Sequence, residues 1–437
     1  MIPILALLNQ MLIGYGYGWT APTLMKLTNP SSAYPITASE ASWIASLHEC
    51  GKMSSPFASP FIIDKIGRKY TVVLVTVLFL VIWPSHIFVH DFYYLCLLRI
   101  LFGVATGLFD VIASIYYTEI CTSTLRGIIG TFSIIIYSGG QVLETILATY
   151  LTNEMSNSIN SIVTICALGS LYFCIETPSF SLMKQKHKEA ERNLKWLRGD
   201  LKQSELSVEL EKLKCNVKKE KLKQKSMKTL FSSPESIRSF CIVLFMYWCF
   251  SCSGNNAIGA FGGMIFPSSE TFTSSQFNIL YVAGNFVAVC LSLLVVGQVS
   301  RRTLLISTHL VITVCNICLF LLFYFHRRNY EIPLYPWLVF ASIVMTGFAR
   351  SLASPIMFIV RGELLPLSIR AIGGCMSTIL TSLGTFCVTK TFLTVTEYFG
   401  METNFLIYTV VTLFMTVVMY YTLPETKGKS LEEIQEE

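Results

Sequence analysis

The sequence predicts an all-α membrane protein: twelve transmembrane helices in two six-helix pseudo-repeats, joined by one long cytoplasmic helical loop. Three observations lead there. Of 437 residues, 53% are hydrophobic and only 14% charged, too few charges to coat a soluble globule of this size. The apolar residues come in blocks of about 20, each long enough to cross the hydrocarbon core as a helix. Short charged motifs also recur at a fixed offset between the two halves of the chain.

Twelve blocks are read, over residues 3–25, 41–63, 70–90, 94–118, 128–151, 158–176, 238–263, 275–297, 303–325, 334–364, 370–392 and 401–422. The first begins almost at Met1, but it lacks the basic start and small-residue cleavage site of a secretory leader, so it reads as a retained span. The 14 cysteines are spread through the apolar blocks without metal-site spacing and read as small buried hydrophobes. Lys65, Arg68, Lys69, Arg126, Arg301, Arg302, Arg370, Lys427 and Lys429 fall in alternate loops. These loops should be cytoplasmic. The expected location is therefore the cell membrane, multi-pass, with both termini inside.

Only one loop is long. Between residues 183 and 228 there are 15 Lys or Arg against 7 Asp or Glu, an excess of +8 that exceeds the whole chain's +6. Leu194, Leu197 and Leu201, then Leu206, Leu210, Leu213 and Val217, recur at helical steps, predicting short amphipathic helices. The expected organisation is a bundle over 1–176, a linker over 177–237, a second bundle over 238–422 and a cytoplasmic tail over 423–437.

The repeat lies in the loops. Glu119 and Arg126 recur as Glu363 and Arg370, at an offset of 244. "DKIGRK" (64–69) has a weaker echo in "GQVSRR" (297–302), and "ETP" (176–178) in "PETKGK" (424–429). Repeated bundles of this kind are what transporters rock around a shared central site.

At these motifs the chain resembles the sugar porters of the major facilitator superfamily, above all the insect branch that includes facilitated trehalose transporters. The resemblance is carried by "GWTAPTLMKL" (18–27), "SWIASL" (42–47), "DKIGRK", "RILFGVATG" (99–107), "YYTEI" with "LRG" (116–127) and "ETP". It continues through "LKWLRG" (194–199), "SGNNAI" (253–258), "GEL" with Pro366, "VTKTF" (388–392) and "PETKGKSLEEIQ" (424–435), nearly end to end. It implies a major facilitator fold that works as a monomer in the lipid bilayer, with no cofactor, metal, nucleic-acid partner or enzymatic step. It also implies a cytoplasmic latch of charge pairs between the halves. Glu119 and Arg126 would combine with the Asp64–Arg68 turn and Glu425. Glu363 and Arg370 would combine with the Arg301–Arg302 turn and Glu176.

The same resemblance implies a sugar site of amides and hydroxyls, and most of its expected positions are changed. The helix-5 glutamine is Ile134. The helix-7 glutamines are Phe250 and Ser251, and the paired tyrosines beyond are Ala260 and Phe261. On helix 10 the tryptophan is Phe358, its preceding proline is Met357 and a glutamate is Arg350. The helix-11 Asn-Trp pair is Thr381 and Ser382. Asn256 and Asn285 survive. A buried polar group left unpartnered costs about 1–3 kcal/mol, so ordinary glucose fits this residue set poorly.

Ionisable groups appear where the resemblance leads us to expect apolar or amide residues. In "SLHECGKMSSPF" (46–57), Ala45, His48, Glu49, Lys52, Ser55, Pro56 and Ser59 fall on one helical stripe, which must face protein or water. Asp110, Glu144 and Arg350 also lie inside predicted spans, giving three acids and two bases apart from His48. Three readings stay open: Arg350 holds a polar or anionic solute while Glu49, Lys52 and His48 face it; Glu49, Asp110 or Glu144 carries a coupled proton, with His48 titrating near neutral pH; or all form a static network.

The expectation is an alternating-access transporter of a small polar solute, most simply facilitative uptake of trehalose, a hexose or a polyol. The alternatives are a proton-coupled or anion-selective transporter on the same fold, or a non-transporting sensor derived from it. The solute site would draw on Asn256, Asn285, Ser251, Phe358, Arg350, Thr381, Glu49, Lys52 and His48.

Overall fold

The computed structural model describes residues 7–32, 34–121, 123–199, 206–215, 234–365 and 370–427. Leu201 and Val217 of the linker pattern lie outside these residues, as do the side chains of Arg126 and Arg370.

The first bundle contains α1 (Leu8–Leu27), α2 (Ala38–Ile66), α3 (Arg68–Ser85), α4 (Phe92–Ile120), α5 (Ser123–Tyr150) and α6 (Asn153–Ser170). The linker forms α7 (Pro178–Met183), α8 (His187–Arg198) and α9 (206–215). The second bundle contains α10 (Pro234–Cys252), α11 (Asn255–Ile265), α12 (Ser274–Val296), α13 (Arg301–Arg327), α14 (Tyr335–Leu364), α15 (Arg370–Phe399) and α16 (Met401–Thr422). Among the described residues, nine helical stretches are long and apolar enough to cross a membrane. α1, α2 and α6 are long enough but fall short on composition: polar residues occupy the buried faces of α2 and α6, and glycines and tyrosines dilute α1.

Small hydroxyl and carboxylate side chains set many helix starts. Thr37 accepts from the Glu40 N–H and Glu40 answers to the Thr37 N–H, a reciprocal cap that opens α2. Thr273 and Gln276 do the same for α12, while Asp91, Thr152 and Ser300 cap α4, α6 and α13.

Two glycine seams fix the helix crossings in the first bundle. A Cβ on Gly103 would stand 1.9 Å from the His48 carbonyl oxygen, and one on Gly51 would stand 2.1 Å from that of Ile100. α2 and α4 therefore touch backbone to backbone, a close approach that only small residues permit. Gly14 and Gly18 lie just as tightly on the Tyr137 and Gln141 carbonyls, pressing α1 onto α5.

The seventh expected span is broken. α10 ends at Cys252 and α11 begins at Asn255, with Gly254 left-handed at φ +87° between them. Only glycine takes that conformation readily, and a Cβ there would also meet the Tyr408 ring.

The bundles meet at one end. The Lys390 ammonium donates to the Ser42 hydroxyl at 2.7 Å and lies over the Trp43 ring, while Met25 packs on Gly263 and accepts from Ser275. In the linker, Leu182 and Ala190 form a small core with Leu210 and Leu213. Arg198 pairs with Glu209 at 2.8 Å and donates to the Ile120 carbonyl, which fastens the linker to the first bundle.

Candidate solute-binding cavity

A cavity of about 210 Å³ lies between the bundles. This is far more than the roughly 10–15 Å³ that a single buried water needs. From the first bundle it is lined by Tyr17 and Thr20 on α1, His48 and Glu49 on α2, Arg99 on α4, and Tyr137 and Gln141 on α5. From the second come Phe250 on α10, Asn255 and Asn256 on α11, Tyr281 and Asn285 on α12, Arg350 on α14, and Thr385 and Thr389 on α15.

The α2–α4 seam positions the charges on the first side. With the backbones in contact, Lys52 reaches across to Asp110, Nζ to Oδ2 at 2.9 Å, with side chains 20% and 35% exposed. Lys52 therefore turns away from the cavity lining. Glu49 stays in it: its Oε1 accepts from the Tyr17 hydroxyl at 3.2 Å and lies 3.8 Å from His48 Nδ1. Ser382 of the second bundle sits beside this carboxylate without completing a hydrogen bond.

On the second side, the break between α10 and α11 frees backbone and side-chain acceptors, and Arg350 gathers them. Its Nη1 donates to the Phe250 carbonyl and, at 3.1 Å, to the Ser253 hydroxyl; Nη2 donates to Asn256 Oδ1 at 3.1 Å. The guanidinium also lies 3.9 Å above the Phe250 ring. A cation at a helix C-terminus complements the dipole there, so the local fold explains why Arg350 is tolerated. Asn256 in turn donates to Thr385 at 2.7 Å, and Tyr281 donates to Asn255 Oδ1 at 3.1 Å.

Of the expected solute residues, His48, Glu49, Asn256, Asn285 and Arg350 line one cavity, whereas Lys52, Ser251, Phe358 and Thr381 do not. Ser251 donates to the Trp248 carbonyl and Thr381 to that of Ser377. Phe358 is 52% exposed and packs edge-on to Tyr247. Arg350 and Glu49 share the cavity, but no ion pair joins them among the described residues.

Arg99 is an addition: it belongs to the intramembrane bases, which number more than the two counted from sequence. It is buried, donates to the Ile44 and Gly16 carbonyls and to Thr20 Oγ1 at 3.2, 3.2 and 2.9 Å, and stacks on Trp19. The signal was present, since Arg99 lies five residues inside the predicted span 94–118. Tyr17, Tyr137 and Tyr281 carried no such signal, because a tyrosine in an apolar block reads equally as core.

At the end of the molecule opposite the Ser42–Lys390 contact, the repeated motifs fold alike. Arg68 pairs with Glu119 at 3.2 Å and with Asp64 at 3.4 Å, and Arg301 pairs with Glu363 at 2.9 Å. Glu176 accepts from the backbone N–H groups of Arg68 and Lys69, as Glu425 does from those of Arg301 and Arg302. The resemblance implies that Glu176 and Glu425 cross between halves in the outward-facing state. In the structure each caps the start of α3 or α13 in its own half, because a carboxylate satisfies the unpaired N–H groups and positive dipole of a nearby helix start. Arg302 donates instead to the Tyr420 carbonyl. Among the described residues, each ion pair of these repeated motifs stays within its own bundle.

Comparison with known proteins agrees with this geometry. The profile of a family described as "Sugar (and other) transporter" matches residues 2–437. The chain is 25% identical over 437 residues to the facilitated trehalose transporter Tret1 of Polypedilum vanderplanki, covering 98% of this chain and 85% of that one. It is 24% identical over 433 residues to Tret1 of Bombyx mori, covering 98% and 84%. Among solved structures, the inward open conformation of the xylose transporter XylE from E. coli superposes with a TM-score of 0.80 at 18% identity, over 100% of this chain and 98% of that one. A cavity shared by two pseudo-repeated bundles, and a profile match over nearly every residue, place this chain in the sugar (and other) transporter family of membrane proteins.

Proposed function

We propose that this protein carries a small polar solute of the sugar and polyol class across the cell membrane by alternating access, down the solute's own gradient. One observation supports this above the rest: the cavity is built by both bundles, while the polar contacts between bundles gather at the Met25–Ser42–Lys390 end. Rocking about the cavity would open that end and close the other. The bundles correspond to residues 1–176 and 238–422, with the linker at 177–237 and the tail at 423–437.

The basic loops support a cytoplasmic placement for the Arg68 and Arg301 end, and with it both termini. In that orientation the described state is closed outside. The outer closure is then Ser42–Lys390 and Met25–Gly263. The inner latch would form when the Asp64–Arg68–Glu119–Glu176 and Arg301–Arg302–Glu363–Glu425 clusters approach one another. Arg126 and Arg370 would join it from the neighbouring helix starts. The protein acts as a monomer in the bilayer, each chain enclosing a whole cavity.

Within the cavity His48, Glu49, Asn256, Asn285 and Arg350 would contact the solute. Relatives named as trehalose and xylose transporters support a sugar. The test is counterflow in proteoliposomes preloaded with trehalose, glucose, xylose or a polyol. Saturable exchange of at least one supports the reading. Leak-level uptake of all of them, and of an acidic sugar as well, by folded protein would overturn it.

A further inference from the structure

We infer that the cavity selects solutes bearing a carboxylate, acidic sugars in preference to neutral ones, and that Arg350 is the residue that sets this preference. The inference rests on the transport reading above and narrows its substrate class.

Charge placement carries it. Among the residues that line the cavity, the first bundle holds one acid and one base apart from His48, Glu49 and Arg99, and these cancel. Lys52 and Asp110 are paired with each other at 2.9 Å outside that lining. Arg99 is fully engaged by Ile44, Gly16, Thr20 and Trp19. The second bundle adds a single charge to the lining, Arg350, and no carboxylate pairs with it among the described residues. The excess positive charge of the site therefore sits on that guanidinium.

The donors agree. A guanidinium has five N–H groups in a fixed fork. Three bonds run to Phe250, Ser253 and Asn256, leaving Nε–H and one Nη2–H without a described acceptor. The helix end beneath Arg350 offsets about half a charge, not a whole one. Two of the lining amides are partly engaged within the protein. Asn256 is used on both sides by Arg350 and Thr385, and Asn255 accepts from Tyr281. A carboxylate would find open donors on Arg350 and would add the charge-assisted bond that a neutral hydroxyl lacks.

The test compares D-glucose with D-glucuronate on the full-length protein, both as competitors of counterflow with the membrane potential clamped and as ligands that raise the melting temperature in detergent. A hydrogen-bonded charge pair gained at the site is expected to favour glucuronate at least about tenfold. Arg350→Gln should collapse that preference ratio by about the same factor, whereas Arg350→Lys, which keeps the charge, should retain most of it. Equal competition by the two sugars in the wild type, or an unchanged ratio in Arg350→Gln, overturns the inference. If Arg350→Gln does not fold, the wild-type ratio and the Arg350→Lys ratio decide. Exchange of glucose with glucuronate ignored sinks the acidic preference alone. If neither is bound or exchanged while neutral disaccharides and polyols also fail, the transport reading falls with it.

Discussion

Replacing Asp110 with Asn should destabilise the protein by about 1–3 kcal/mol, and the loss should shrink when Lys52 is replaced at the same time. The magnitude follows from the pair's surroundings. An exposed ion pair contributes about 0–1 kcal/mol, and stripping one partner from a buried pair costs about 3–5 kcal/mol. Lys52 and Asp110 stand 2.9 Å apart with 20% and 35% of their side chains exposed, so solvent screens Asp110 and the cost falls between. Asp110→Asn leaves Lys52 charged and largely buried; Asp110→Asn with Lys52→Met leaves no charge stranded. The coupling should therefore be about 1–2 kcal/mol. The assay is a double-mutant cycle by denaturation in detergent, where each kcal/mol moves the midpoint by about 2–4 °C for a unit of bundle size. Losses that add within about 0.5 kcal/mol would show that the two side chains do not interact, and would refute the placement of the α2 charges derived above.

Gly103→Val should abolish the α2–α4 seam, since even a Cβ would sit 1.9 Å from the His48 carbonyl oxygen. The expected loss exceeds the roughly 1–3 kcal/mol of ordinary overpacking, read as loss of monodisperse protein on size exclusion. Gly254→Ala should cost at least about 1–2 kcal/mol for the left-handed backbone alone, with further loss from the collision with Tyr408; a melting point equal to wild type would contradict the break. Glu176→Ala removes the carboxylate that accepts from the Arg68, Lys69 and Thr177 N–H groups, at an expected cost of about 1–3 kcal/mol. Glu425→Ala should behave in parallel at α13, and a difference of more than about 2 kcal/mol between the two would argue against the structural repeat.

Much of the architecture was legible because a bilayer forces it. Apolar blocks of one length leave few alternatives to spanning helices, and the Glu119 and Glu363 motifs marked the repeat directly. Three things were not legible, each for a physical reason. The break at Gly254 depends on one left-handed residue inside an apolar block, and hydropathy does not register it. The partner of Lys52 was misjudged because spacing along α2 reveals same-helix neighbours, Glu49 and His48, while Asp110 is brought in by the Gly51–Gly103 crossing between helices. Glu176 and Glu425 also accept from the helix starts of their own halves, a role that the cross-bundle pairing expected for the outward-facing state does not reveal. Arg99 was visible and overlooked: it lies inside a span, where any base requires a partner.

The central idea, that the bundles must separate at the Met25 end for solute to pass, is tested most directly by tying them together there. In Met25→Cys with Gly263→Cys the Cβ atoms would lie 3.4 Å apart, close to the roughly 3.5–4.5 Å of a disulfide. In a background lacking the 14 native cysteines, oxidation should stop solute exchange in proteoliposomes and reduction should restore it. Exchange at the unmodified rate by protein shown by mass spectrometry to be fully bridged would contradict alternating access through this cavity.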